Sequence, residues 1–127
     1  MAGLKKVINI EDNVMKHTAI KRELVKLGVK SVAWARNAES GIAMIQSAIE
    51  SDKPFGLLVS DMHFDYFGSE DMDAGEKTMN KLREMGIQIP VIFCSSQNWK
   101  IPGAVGTVFY NANRDWEGDL KMLLDRV

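Results

Sequence analysis

Acidic and hydroxyl side chains follow directly on three apolar runs of this chain. Glu11 and Asp12 follow residues 4–10, Asp61 follows residues 55–60, and Ser95 and Ser96 follow residues 90–94. Three carboxylates in one crevice repel each other and raise one another's pKa unless a cation joins them. Mg²⁺ suits such a set, because it takes hard oxygen ligands and keeps several waters. Beside that ion Asp61 has room to act as a nucleophile towards phosphorus. The metal would offset charge on the transferring group, and positioning would supply most of the rest.

Residues so far apart in sequence share a crevice only if the fold carries the ends of those runs to one edge. Apolar runs alternate with helical patterns along the chain, the signature of stacked βαβ units and a parallel sheet. Residues 4–10 predict a first strand. A helix from about Val14 carries Ile20, Leu24 and Leu27 on one face, with Gly28 as its stop. Residues 31–35 predict a short second strand, and Asn37 caps a helix that turns Ile42, Ile45 and Ile49 inward. The third strand, residues 55–60, is apolar throughout and therefore central. Residues 61–74 have no clean period and read as a long loop, with Asp65, Glu70, Asp71 and Asp73 set among Phe64, Tyr66 and Phe67.

A helix from about Gly75 to Met85 then places Met79, Leu82 and Met85 on the core side. Residues 90–94 and 106–110 predict the fourth and fifth strands. Trp116, Leu120, Leu123, Leu124 and Val127 form the stripe of a last helix. Between the last two strands, Pro102, Gly103 and Gly106 argue against a full helix. The expected fold is α/β: a doubly wound, five-stranded parallel sheet with flanking helices, in one domain over residues 1–127. Ligands of such sheets gather beyond the carboxyl ends of the strands, where the strand order reverses. That edge receives the acids.

These residues resemble the response-regulator receiver domains, whose fold is CheY-like and flavodoxin-like. The likeness rests on Glu11-Asp12 in residues 9–13, on Asp61 in residues 57–62, on Ser95 in residues 90–96, and on Gly103-Ala104 before the fifth strand. The resemblance implies that Glu11 and Asp12 are Mg²⁺ ligands and that Asp61 is both ligand and phosphoacceptor. It also implies that His63 offers its backbone carbonyl to the metal, and that Ser95 is the switch hydroxyl that bonds the attached phosphoryl group. The implied partners are a sensor histidine kinase or phosphotransfer protein and, downstream, an output domain or partner protein.

Three features depart from that family. Its lysine at the end of the fifth strand is missing; Tyr110 or Asn111 stands there instead, and Lys100 would have to swing in from the preceding loop. That lysine normally pairs with phosphoryl oxygens. The loop after Asp61 is longer and strongly acidic, able to cover the pocket or to add metal ligands. The span from Ser95 to the fifth strand is short, so the family's fourth helix is reduced or absent, and with it part of the usual output face.

Composition narrows the function classes. A formal charge of −1 over 127 residues gives no broad basic face for nucleic acid. The lone cysteine, Cys94, excludes an internal disulfide and a multi-cysteine zinc site and fits a reducing compartment. Residues 1–6 have no apolar signal-peptide core, and no stretch is long enough to span a bilayer. A soluble, cytoplasmic protein without a membrane partner is expected. His17 reads as a surface residue, Cys94 as a buried thiol, Trp116 as core and Trp99 as an exposed contact.

The leading function is a switch and not an enzyme: Asp61 accepts a phosphoryl group from a phosphohistidine donor, and the change shifts a protein interaction. The alternative is a pseudo-receiver, an interaction module whose output does not depend on phosphate. An aspartate-nucleophile phosphatase would resemble Asp-x-Asp, whereas the third residue here is His63. In a flavin binder, Glu11-Asp12 would repel the cofactor phosphate.

Overall fold

The structure, a computed structural model, describes residues 4–127. In chain order its elements are β1 (Lys6–Ile10), α1 (Val14–Lys26), β2 (Ser31–Ala35), α2 (Ala38–Glu50), β3 (Leu57–Ser60), β4 (Phe64–Tyr66), β5 (Ser69–Asp71), α3 (Ala74–Glu84), β6 (Val91–Ser95), β7 (Gly106–Phe109) and α4 (Trp116–Leu124). Five strands form one sheet in the order β2-β1-β3-β6-β7, with every neighbouring pair parallel. This is the doubly wound sheet that the alternating pattern predicts.

Burial along the strands follows the two-residue period of a pleated sheet. Val7, Leu57, Val59, Ile92, Cys94 and Val108 pack with Ile20 and Leu24 of α1 and Leu120, Leu123 and Leu124 of α4. Ile8, Ile10, Leu58, Val91 and Phe93 pack with Ile42 and Ile45 of α2 and Met79 and Leu82 of α3. Each face of the sheet is thus covered by two helices, and the central strands are buried on both sides.

The helix starts are set as the sequence indicates. Asn13 caps α1 by accepting from the Lys16 backbone N–H at 3.0 Å, and Asn37 caps α2 by accepting from that of Ser40 at 2.8 Å. Gly28, at φ 102°, ends α1 in a conformation few other residues tolerate.

Several expectations are corrected. The stretch 61–74 is not wholly loop: β4 and β5 form an antiparallel hairpin that pairs Phe64 with Asp71 and Tyr66 with Ser69. Its turn is Phe67-Gly68, both at positive φ, so the usual Asn-Gly signal was absent. Only Phe64 of the hairpin is fully buried, which explains the weak alternation. In α2 the inward stripe is Gly41, Ile42, Ile45 and Ala48, while Ile49 is exposed. Its small members let the helix lie close to the sheet, and a Cβ at Gly41 would meet Ile10 Cγ1 at 2.8 Å. Val127 lies past the end of α4 and is exposed.

Between β6 and β7 there is no helix among the described residues. In the segment 96–105 that joins them, the Arg83 guanidinium donates to the Gly103 carbonyl at 2.6 Å and the Val105 N–H donates to the Val91 carbonyl at 2.8 Å. No helix among the described residues is long and apolar enough to cross a membrane.

Candidate functional site

The strand order reverses between β1 and β3, and these two strands deliver the acids. One carboxylate oxygen each of Glu11, Asp12 and Asp61 lies within 4.8 Å of the other two. They open into a cavity of about 320 Å³, whose wall also includes Lys16, His63, Met72, Ser95, Trp99 and Tyr110. Backbone hydrogen bonds tie the strand ends in pairs, β3 to β1 and β7 to β6. Asp61 N–H donates to the Ile10 carbonyl at 3.0 Å, and Tyr110 N–H donates to the Ser95 carbonyl at 2.7 Å.

Glu11 is buried. Its Oε2 accepts from the Asn13 N–H at 3.2 Å, while Oε1 is buried with no hydrogen bond of good geometry. The nearest charge to Oε1 is the Lys16 ammonium, 3.1 Å away. Burial pushes the Glu11 carboxyl up to about 7; Lys16 opposes the rise and Asp61 adds to it. Asp12 is exposed at the rim. Asp61 Oδ1 accepts from the Met62 N–H at 2.7 Å and stands 3.2 Å from Lys16 Nζ. Its Oδ2 has no hydrogen-bond donor among the described residues. Gly75 makes this placement possible: a Cβ there would overlap the Asp61 carbonyl oxygen and reach Phe93 Cε1 at 2.9 Å.

Three converging carboxylates, one with an orphaned buried oxygen, are a donor set that fits a hard divalent cation such as Mg²⁺. Glu11, Asp12 and Asp61 are the residues that would hold it. His63 lines the cavity, but its ring turns to Glu70, with Nε2 3.1 Å from Oε2. The ring is therefore engaged away from the acids.

Ser95, at the end of β6, is almost fully buried. Its Oγ accepts from the Gln97 N–H and the Trp99 indole N–H, each at 3.2 Å. Its own proton has no acceptor among the described residues. Cys94 beside it is buried, and burial pushes its thiol up to about 12.

The structure thus brings together Glu11, Asp12, Asp61, His63 and Ser95. It separates other groups from them. None of the hairpin acids Asp65, Glu70, Asp71 and Asp73 lines the cavity. Lys100 faces a different groove, with Pro102 and Arg126. Of the two residues after β7, Tyr110 lines the cavity, whereas Asn111 uses its side chain to accept from the Asn113 N–H.

Two residues depart from expectation, and a third was given no role by the sequence. His17 is buried: its Nδ1 is 2.8 Å from Asn9 Oδ1, and its ring stacks on Trp34 at 4.4 Å. Trp34 in turn donates to the Glu11 carbonyl at 2.7 Å, so this pair braces the acidic turn. Trp99 is partly buried and bonded to Ser95 instead of projecting outward. Lys16 was missed altogether. Its signal was its position, third in a helix capped by Asn13, where an acid would ordinarily sit.

No family model and no curated protein sequence matches this chain. Solved structures do match it. The N-terminal domain of a response regulator/sensory box/GGDEF three-domain protein from Carboxydothermus hydrogenoformans superposes with a TM-score of 0.70 at 21% identity, covering 96% of this chain and 92% of that one. A chain of the CheX–CheY–BeF3–Mg²⁺ complex from Borrelia burgdorferi gives 0.76 at 12% identity, covering 96% and 87%. The receiver domain of the histidine kinase CKI1 from Arabidopsis thaliana, complexed with Mg²⁺ and BeF3⁻, gives 0.66 at 14% identity, covering 95% and 90%. The chain therefore has the fold of response-regulator receiver domains, and its acidic cavity lies at the topological switch point of that fold.

Proposed function

We propose that this chain is a two-component receiver that takes a phosphoryl group onto Asp61 from a phosphohistidine donor and thereby switches a protein interaction. The observation that carries the reading is the convergence of Glu11, Asp12 and Asp61 at the switch point, around a buried oxygen that lacks a donor. Two similar structures hold Mg²⁺ and BeF3⁻, the latter standing in for a phosphoryl group. Here Glu11, Asp12, Asp61 and the His63 carbonyl would hold the metal, which when bound supplies charge neutralisation for the transfer.

The protein's own groups do the rest. Met62 N–H holds Asp61 Oδ1, leaving Oδ2 to attack phosphorus. Ser95 can donate its free proton to an attached phosphoryl oxygen. Its Oγ is bonded to the Trp99 indole, so recruiting Ser95 pulls on the loop that replaces the missing helix. Phosphorylation then shifts that loop between two arrangements. Receiver domains are generally switches, and a histidine kinase or phosphotransfer protein is the partner this chemistry needs.

Incubation with Mg²⁺ and phosphoramidate, followed by intact mass measurement, tests the reading. The expected result is a Mg²⁺-dependent gain of one phosphoryl group that is absent in Asp61→Asn. No gain under conditions that label an ordinary receiver favours the second reading, a phosphate-independent interaction module. The absence of a lysine at the end of β7 is the observation behind that alternative.

A further inference from the structure

The acidic pocket already contains a cation. Lys16 Nζ lies 3.1 Å from Glu11 Oε1, 3.2 Å from Asp61 Oδ1 and 2.7 Å from the Cys94 carbonyl, with its side chain only 12% exposed. It touches groups at the ends of β1, β3 and β6 at once. Its ammonium is also 5.3 Å from the ring centroid of Tyr110, the residue that follows β7. No other lysine or arginine lines this cavity among the described residues.

The helix alone does not account for this placement. The first turn of α1 carries no acid, and the helix dipole disfavours a cation there. Helical side chains lean towards the N-terminus, so a first-turn lysine on α1 is aimed back over the end of β1. The carboxylates beyond that strand then hold it.

We propose that Lys16 is the phosphoryl-binding cation of this protein, delivered from α1 in place of a lysine after β7, and that it leaves the space between Glu11 and Asp61 when a divalent cation enters. The phosphoryl half of this inference rests on the receiver reading above; the displacement half does not. An ammonium has three donors; here one is bonded to the Cys94 carbonyl, and the other two face the Glu11 and Asp61 carboxylates as ion pairs. A metal that claims the Glu11 and Asp61 oxygens ends both ion pairs and turns those two donors loose, while the Cys94 carbonyl keeps its hydrogen bond. In the transfer, Asp61 Oδ2 forms a bond to the phosphorus of phosphoramidate as the P–N bond breaks. The donor reacts as its zwitterion, with the nitrogen already protonated, so neutral ammonia leaves with that electron pair; the phosphoryl group keeps its own three oxygens, one of which Lys16 then binds.

The test compares wild type, Lys16→Met and Lys16→Arg. Mg²⁺ titration followed by tryptophan fluorescence should show Lys16→Met binding several-fold tighter, because its competitor is gone. Equal or weaker binding overturns the displacement. At saturating Mg²⁺, Lys16→Met should take label from phosphoramidate at least about tenfold more slowly, the loss expected for one charge-assisted contact, with Lys16→Arg in between. Labelling of Lys16→Met at the wild-type rate overturns the phosphoryl role. If Lys16→Met does not fold, lysine acylation of the wild type decides the displacement: Lys16 should be protected without Mg²⁺ and reactive with it, and unchanged reactivity overturns it. A wild type that never labels brings down the receiver reading and the phosphoryl role together, while the Mg²⁺ titration still scores the displacement.

Discussion

Two groups of acids in this molecule behave in opposite ways. Asp65, Glu70, Asp71 and Asp73 lie close together in sequence, yet they spread over an exposed hairpin and its exit. Asp65 bonds the turn N–H of Gly68, Glu70 meets His63, and Asp71 meets Lys77, whose hydrogen bond holds the Asp71 carboxyl below its usual range. Glu11, Asp12 and Asp61 are scattered in sequence, yet their oxygens converge. Proximity along the chain made a solvated surface with local partners. Convergence across a sheet made a crevice in which burial raises one carboxyl and a single lysine is shared by two acids. A chemical site requires the second kind of proximity, because only there is water too scarce to satisfy the charges.

Experiments can break or sharpen that contrast. The largest effect is expected at Gly75, where α3 packs against the Asp61 backbone. Gly75→Ala should cost on the order of 1–3 kcal/mol in urea unfolding, as overpacking does, and should weaken divalent binding by moving Asp61. An unchanged urea midpoint would mean that the close approach is not needed.

Glu11→Gln should weaken Mg²⁺ binding by about tenfold or more, roughly 1.4 kcal/mol. It should also alter how stability depends on pH. The folded Glu11 carboxyl, at about 7, lies above its ordinary value of 4.5. Its contribution therefore favours the folded state below that ordinary value and is lost as pH rises through about 7. Metal-free protein should lose stability across that window in urea melts, and Glu11→Gln should lose less. Equal slopes would show that Glu11 is not the buried charge responsible.

The smallest effect belongs to the hairpin. Glu70→Gln with Asp71→Asn should leave the Mg²⁺ titration unchanged, since neither residue lines the cavity. A clear weakening of that titration would erase the distinction between the two groups.

Much of this was legible beforehand. Periodicity placed the five sheet strands and four helices, because a buried parallel strand must be apolar throughout and a covering helix apolar on one side. Asn13, Asn37 and Gly28 marked their helix ends through local hydrogen bonding and backbone freedom, which need no distant partner. The hairpin was missed because its turn, Phe67-Gly68, lacks the usual residue pair and its strands bury only one side chain completely. His17 was misjudged because its burial depends on Asn9 and Trp34, two residues on separate strands.

The sequence by itself determined the sheet strands and their helices, the order of the strand-end acids and the absence of a lysine at the end of the last strand. All of these follow from short-range pattern and residue identity. Only the tertiary structure decided that Lys16 enters the pocket, that Tyr110 and not Asn111 lines it, and that Trp99 holds the Ser95 hydroxyl. Those facts depend on which strand ends meet and on where side chains of different elements find their nearest opposite charge or hydrogen-bond partner.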